Sequence, residues 1–195
     1  MEYDAELDRT LFWAPIDGPG LEHLRLRASD GGYIAAGVVM AVEAGTPFRL
    51  LYKIKIDEAW RTRKVVLEAY TPQGETFKTL RSDGQGHWKG ERDVELREFD
   101  GCLDVDISVT PFTNTLVINR LPLETGQQAD IPMIYVKAPE LTVTRVKQRY
   151  RCATRDRQGG LVTFDSLSGF TADLPIDADG LVLDYPKGWR RVYPT

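Results

Sequence analysis

Histidine and cysteine are scarce in this chain, and their scarcity removes several chemistries at once. Only His23 and His87 carry imidazoles and only Cys102 and Cys152 carry thiols among 195 residues. Neither cysteine belongs to a Cys-x-x-Cys pair, and neither histidine clusters with a cysteine. A zinc site would have to be assembled from scattered parts, so no metal is expected. Both thiols lie in strand-like runs and read as buried free cysteines. Two histidines also leave little material for the usual proton shuttle. The chain has no Gly-x-Ser-x-Gly elbow, phosphate-binding loop, dinucleotide fingerprint, His-Glu-x-x-His helix or EF-hand loop, and no cofactor is expected.

An excess of positive charge is missing as well. The chain has 25 Lys and Arg against 29 Asp and Glu, for a net charge of −4. A nucleic-acid partner is therefore not expected, because displacing counterions from phosphates takes a clustered positive surface. No apolar run approaches the roughly 18 residues of a transmembrane helix. The first residues carry Glu2, Asp4, Glu6 and Asp8 with no apolar run of signal-peptide length behind them, which leads to the expectation of a cytoplasmic protein. Hydrophobic residues at 42% and charged residues at 28% are ordinary for a globular chain. The length suits one substantial core, so a single domain over 1–195 is expected. Oligomeric state is left open by composition.

What is present is a succession of strand signals, recurring about every ten to twelve residues between turn-forming clusters, as in antiparallel all-β folds. Candidate strands fall near 21–27, 33–43, 47–57, 63–71, 75–82, 86–90, 102–109, 133–138, 141–152, 160–165, 169–174, 181–184 and 189–193. The clearest is Phe48 to Asp57, where Phe48, Leu50, Tyr52, Ile54 and Ile56 share one face and the opposite face is mostly charged. Such one-sided burial marks an antiparallel sheet and disfavours a parallel one. Ile34 to Val42 is apolar throughout and reads as central, or bent at Gly37. Leu141 to Cys152 exceeds the usual strand length, which predicts a strongly twisted or curled sheet. Helix evidence is confined to Phe112–Leu121, bracketed by Pro111 and Pro122, with Thr113 or Asn114 as N-cap.

The run Gly101 to Leu116 changes character at its middle. Leu103, Val105, Ile107 and Val109 alternate with Cys102, Asp104, Asp106 and Ser108, so two carboxylates share a face about 7 Å apart. At Thr110-Pro111 the alternation stops and a polar corner begins. Asp104 and Asp106 fit the separation of acid and base in an inverting glycosidase, about 6.5–9.5 Å. The plainer reading, favoured because no third residue type accompanies them to fix a mechanism, is a solvated face or partners for arginines on a neighbouring strand. Thr110, Thr113, Asn114 and Thr115 offer hydroxyls and an amide to a polar headgroup, or satisfy backbone groups at the strand-to-turn junction. Arg120 adds a cation nearby.

Trp60-Arg61-Thr62-Arg63-Lys64 joins an aromatic ring to three cations and suits an anionic glycolipid head, or a tryptophan covering a sheet edge while the cations face water. Tyr185-Pro186 and Trp189-Arg190-Arg191 repeat the pairing of aromatic and arginine near the C-terminus.

The stretch Gly101 to Leu116 with Arg120-Leu121 resembles the signature of a bacterial family labelled putative glycolipid-binding, formerly a domain of unknown function. Trp13 with Glu22, Tyr52 and Asp57 before Trp60-Arg61-Thr62-Arg63, Asp83 to Trp88, Gln148-Arg149-Tyr150, and Asp179 to Pro186 with Arg190-Arg191 extend the resemblance over nearly the whole chain. The resemblance implies a long, curled antiparallel sheet of spiral β-roll or half-barrel type, and the residues themselves add at most one or two short helices. It also implies a carrier of lipid-like ligands, and it supplies no catalytic residues.

Together these readings lead to a non-catalytic binding protein for a small-molecule amphiphile such as a glycolipid. The acyl part would lie on the apolar concave face, and the headgroup at the corner of Asp104, Asp106, Thr110, Thr113, Asn114, Thr115 and Arg120. Trp60, Arg61, Arg63, Tyr185 and Arg190 are the further candidates. The alternatives are a hydrolase of a sugar or lipid ester using Asp104 and Asp106, and a protein-interaction module using exposed strand edges.

Overall fold

Two sheets and one buried helix make up the protein, described over residues 4–194 of a computed structural model. The period-two runs become long hairpin-linked strands: β1 (Asp8–Pro15), β2 (Gly20–Ser29), β3 (Gly32–Glu43), β4 (Thr46–Asp57), β5 (Thr62–Thr71), β6 (Gly74–Ser82) and the short β7 (Trp88–Lys89). Then come β8 (Val105–Ile107), α1 (Phe112–Arg120), β9 (Gln128–Lys137), β10 (Thr142–Asp156), β11 (Gly159–Asp165), β12 (Thr171–Asp177), β13 (Asp184–Tyr185) and β14 (Trp189–Tyr193). The first sheet has nine strands in the order β13-β14-β1-β2-β3-β4-β5-β6-β7, and the second has five in the order β12-β11-β10-β9-β8.

The all-β class, the single short helix and the curled antiparallel architecture match expectation. β3 occupies the centre of the nine-stranded sheet, and it does not bend at Gly37: its ladder with β2 and β4 is continuous, with Gly37 opposite Leu24 and Tyr52. Four details depart from the sequence reading. A strand precedes residue 21, because Leu11 and Trp13 of β1 point into the core between β2 and β14. The region near 102–109 forms only three residues of strand, and these run parallel to β9. Its ladder stops early because the Ser108 hydroxyl accepts the Ala138 N–H at 3.0 Å and the Thr110 N–H turns back to Ile107. β9 starts earlier than expected, at Gln128. The helix needs no side-chain cap from Thr113 or Asn114, since Pro111 itself sits at the N-cap.

The helix decides the shape of the interior. Eight residues of α1 are buried. Phe112 and Leu116 pack into the core of the large sheet, with Leu24, Leu50, Ile54 and Leu67, while Val117 and Ile118 pack into that of the small sheet, with Met133, Tyr150 and Leu174. Phe112 stacks on Tyr52 at 6.4 Å between centroids. The concave apolar face expected to cradle an acyl chain is thus filled by the protein's own helix and by Trp13, Trp60 and Trp88, all buried. A helix that buries apolar side chains on both sides removes that surface from water and closes the face. Cys102 and Cys152 are buried free thiols, and burial pushes the Cys102 thiol up to about 11.

Candidate functional site

The polar corner at Thr110 is held by two buried networks that meet there. Thr110 Oγ1 accepts the Phe112 N–H at 3.0 Å and donates to Glu22 Oε1 at 2.6 Å. Tyr52 donates its phenol to the same Glu22 oxygen, and Glu22 Oε2 has no partner among the described residues. Burial away from any cation raises the Glu22 carboxyl to about 8. On the other side, Thr113 Oγ1 accepts the Ile107 N–H at 3.2 Å and donates to Asp106 Oδ1 at 3.1 Å. Gln148 Nε2 donates to Asp106 Oδ2 at 2.7 Å. The Tyr150 hydroxyl lies 3.0 Å from Asn114 Oδ1 and 3.3 Å from Gln148 Oε1, and Asn114 Nδ2 donates to the Pro111 carbonyl at 3.1 Å. Loss of water around it pushes the Asp106 carboxyl up from its ordinary value, against the two hydrogen bonds it accepts from Gln148 and Thr113.

This corner opens into a cavity of about 380 Å³ at the rim where the small sheet, the start of α1 and the C-terminal hairpin of the large sheet converge. Its polar base includes Asp106, Gln148, Asn114 and Thr110, and Ser166 and Ser168 of the β11–β12 loop line it as well. Phe164, Phe170 and Tyr185 form one aromatic wall, with Phe170 and Tyr185 stacked at 5.9 Å and 11° and Phe164 within 6.3 Å of both. Tyr135, Val146 and Trp189 complete it. Among the described residues no lysine, arginine or histidine lines the cavity. A recess of this size, part apolar with a few convergent polar groups, lies within the range of small-molecule sites.

Asp106, Thr110, Asn114 and Tyr185 of the sequence-derived candidates line this cavity, and Thr113 supports it through Asp106. Asp104 does not join them. It is fully buried beneath the corner in a two-pronged pair with Arg120, whose Nε lies 2.9 and 3.1 Å from the two carboxylate oxygens and whose Nη2 lies 2.5 Å from Oδ2. Asp104 is therefore ion-paired, and its cation comes from the helix and not from a neighbouring strand. Thr115 is buried with its hydroxyl unpartnered among the described residues.

Trp60 sits at φ +61° in the β4–β5 turn and packs against Tyr33 in the core, 4.6 Å between centroids. Arg61 and Arg63 are drawn to Asp57, at 2.9 and 3.5 Å, so this trio lies outside the cavity lining. Arg190 is exposed, 3.9 Å from Asp184. Glu22, Gln148, Tyr150, Tyr135, Phe164 and Phe170 were not singled out from the sequence as site residues. Glu22 and Gln148 left a signal there, each being a polar residue on an otherwise inward-facing set, with Leu24 and Leu26 for Glu22 and with Tyr150 and Cys152 for Gln148. Tyr135, Phe164 and Phe170 come from separate strands and a loop and leave none.

Fold and site define a two-sheet β protein with a helix-filled interior and a polar-aromatic pocket at its rim. The chain belongs to the family described as "Putative glycolipid-binding", whose model matches residues 10–191. It is similar to the crystal structure of a DUF1089 family protein from Pseudomonas aeruginosa, at 35% identity and a TM-score of 0.80, covering 90% of this chain and 94% of that one. No curated protein matches the chain. Among the described residues no helix is long and apolar enough to cross a membrane.

Proposed function

We propose that this protein binds an amphiphile of glycolipid type without catalysing its conversion, taking the hydroxylated headgroup into the rim cavity. The observation that carries this reading is the pairing, in one recess, of a stacked aromatic wall with the hydrogen-bonding base of Asp106, Gln148 and Asn114. Sugar rings present C–H faces that lie well on aromatic surfaces and hydroxyl rims that need both donors and acceptors. The family description points the same way.

Because α1 fills the interior, the alkyl portion runs outward across the mouth instead of along the concave face of the large sheet. The hydrolase alternative loses its second carboxylate, since Asp104 is committed to Arg120 away from the cavity. The test has two arms. Solvent extraction of gently purified protein followed by mass spectrometry should recover an amphiphile, and titration with octyl glucoside below its micelle concentration should perturb Trp189 and the Tyr185 ring in NMR spectra. Failure of both arms removes the reading.

A further inference from the structure

Asp106 stands apart from the other deeply placed carboxylates. Asp104 has Arg120, Asp57 has Arg61 and Arg63, and Asp177 has Arg191 at 2.5 Å. Asp106 accepts one hydrogen bond on each oxygen, from the neutral groups of Thr113 and Gln148, and takes part in no ion pair among the described residues. Glu22 also lacks a cation, but it lies behind Thr110 and does not line the cavity. Asp106 does line it and keeps part of its surface open there. Burial disfavours the charge of Asp106 and a cationic partner restores it; a carboxylate so held offers roughly four acceptor directions, of which Asp106 has used two.

The surroundings of that open side are aromatic. Tyr135, Phe164, Phe170, Tyr185 and Trp189 share the cavity with Asp106. Ring faces carry negative potential and attract cations, and aromatic enclosures are a recurrent way to hold ammonium groups. A carboxylate placed in such a recess without a countercharge is costly to bury, and the cost falls when a ligand brings the opposite charge. Among the described residues nothing in the lining offsets the charge of an anionic headgroup, since phosphate and carboxylate ligands call for guanidinium or ammonium donors and none of these residues supplies one.

We propose that the headgroup carries a positively charged amino function, as in a glycolipid built on a free amino sugar, and that Asp106 is its counter-ion within the aromatic enclosure. This rests on the cavity being the ligand site, as argued above. It goes further in assigning the ligand's charge and the residue that selects it.

The test uses the full chain at pH 7 and four octyl glycosides of one ring size, below their micelle concentrations: glucoside, 2-amino-2-deoxyglucoside, its N-acetylated form, and glucuronide. Calorimetry or NMR titration should give at least about tenfold tighter binding for the free amine than for the neutral glucoside, the scale of one charge-assisted contact with added cation–π attraction. The N-acetyl compound, similar in outline but uncharged, should lose that advantage, and the glucuronide should bind weakest. In Asp106→Asn, with its fold checked by NMR, the amine and the glucoside should become equal. Neutral and amino glycosides binding equally to the unaltered protein would overturn the charge assignment and leave the cavity reading standing. A preference for the glucuronide, or an amine preference that survives in Asp106→Asn, would also overturn it. Binding by none of the four would remove both.

Discussion

The Tyr52 ring lies across Gly37 on the adjacent strand, so closely that a β-carbon at Gly37 would fall 2.2 Å from the ring. That gap lets the phenol reach Glu22, two strands away in the sheet order. Gly37→Ala should therefore displace the ring, with a loss of about 1–3 kcal/mol, typical of forcing an extra carbon into a packed core. Urea unfolding of the variant against the unaltered protein measures it; an unchanged midpoint would mean that the ring shifts freely.

Glu22 makes stability fall as pH rises. Burial pushes its carboxyl up to about 8 in the folded protein against an ordinary 4.5, so between those values the folded chain holds a proton that the unfolded chain has lost. Stability from this group is complete below about pH 4.5 and is lost as pH climbs toward 8, at up to about 1.4 kcal/mol per unit. The groups bonded to it are the uncharged Tyr52 and Thr110. Glu22→Gln carries no such proton. Its stability relative to the unaltered protein should improve between pH 5 and pH 8, and denaturant curves at both values would reveal a flat difference if Glu22 were ionised throughout.

Asp104 and Asp106 should separate cleanly. Asp104→Ala strands the Arg120 guanidinium, whose side chain is only 13% exposed, and should cost about 3–5 kcal/mol. Asp106→Asn keeps one acceptor oxygen but turns the other into an amide donor facing Thr113 or Gln148, and should cost less, about 1–3 kcal/mol, while altering ligand binding. Thermal melts of the two variants side by side check this, and similar losses in both would make Asp106 a structural group instead.

Phe170 is half-buried and stacks on Tyr185 at the cavity wall. Phe170→Ala should weaken glycoside binding by roughly 2–10-fold, the scale of one aromatic contact, with little change in melting temperature. Titration of the variant with octyl glucoside provides the measurement.

The sheet was legible where a single strand carried the whole message. From Phe48 to Ile56 the alternation of apolar and charged residues gives the buried face of β4 directly. The helix between Pro111 and Pro122 was legible because both ends are punctuated. β1 was not, because Leu11-Phe12-Trp13 places an outward apolar residue between two inward ones and masks the period. The site was half legible. Its polar corner is contiguous in the chain, whereas Tyr135, Phe164, Phe170 and Trp189 meet only after four segments converge. Trp60-Arg61-Thr62-Arg63 misleads for the same reason in reverse: neighbours in sequence, they are parted by a left-handed turn that sends the indole inward and the guanidiniums to Asp57.

With α1 wedged between the sheets, the molecule has no measuring rod for hydrocarbon. A guest whose tail dangles beyond the rim should be sorted by what it wears at one end, so homologues from octyl to hexadecyl would be accepted alike while a changed sugar would be refused.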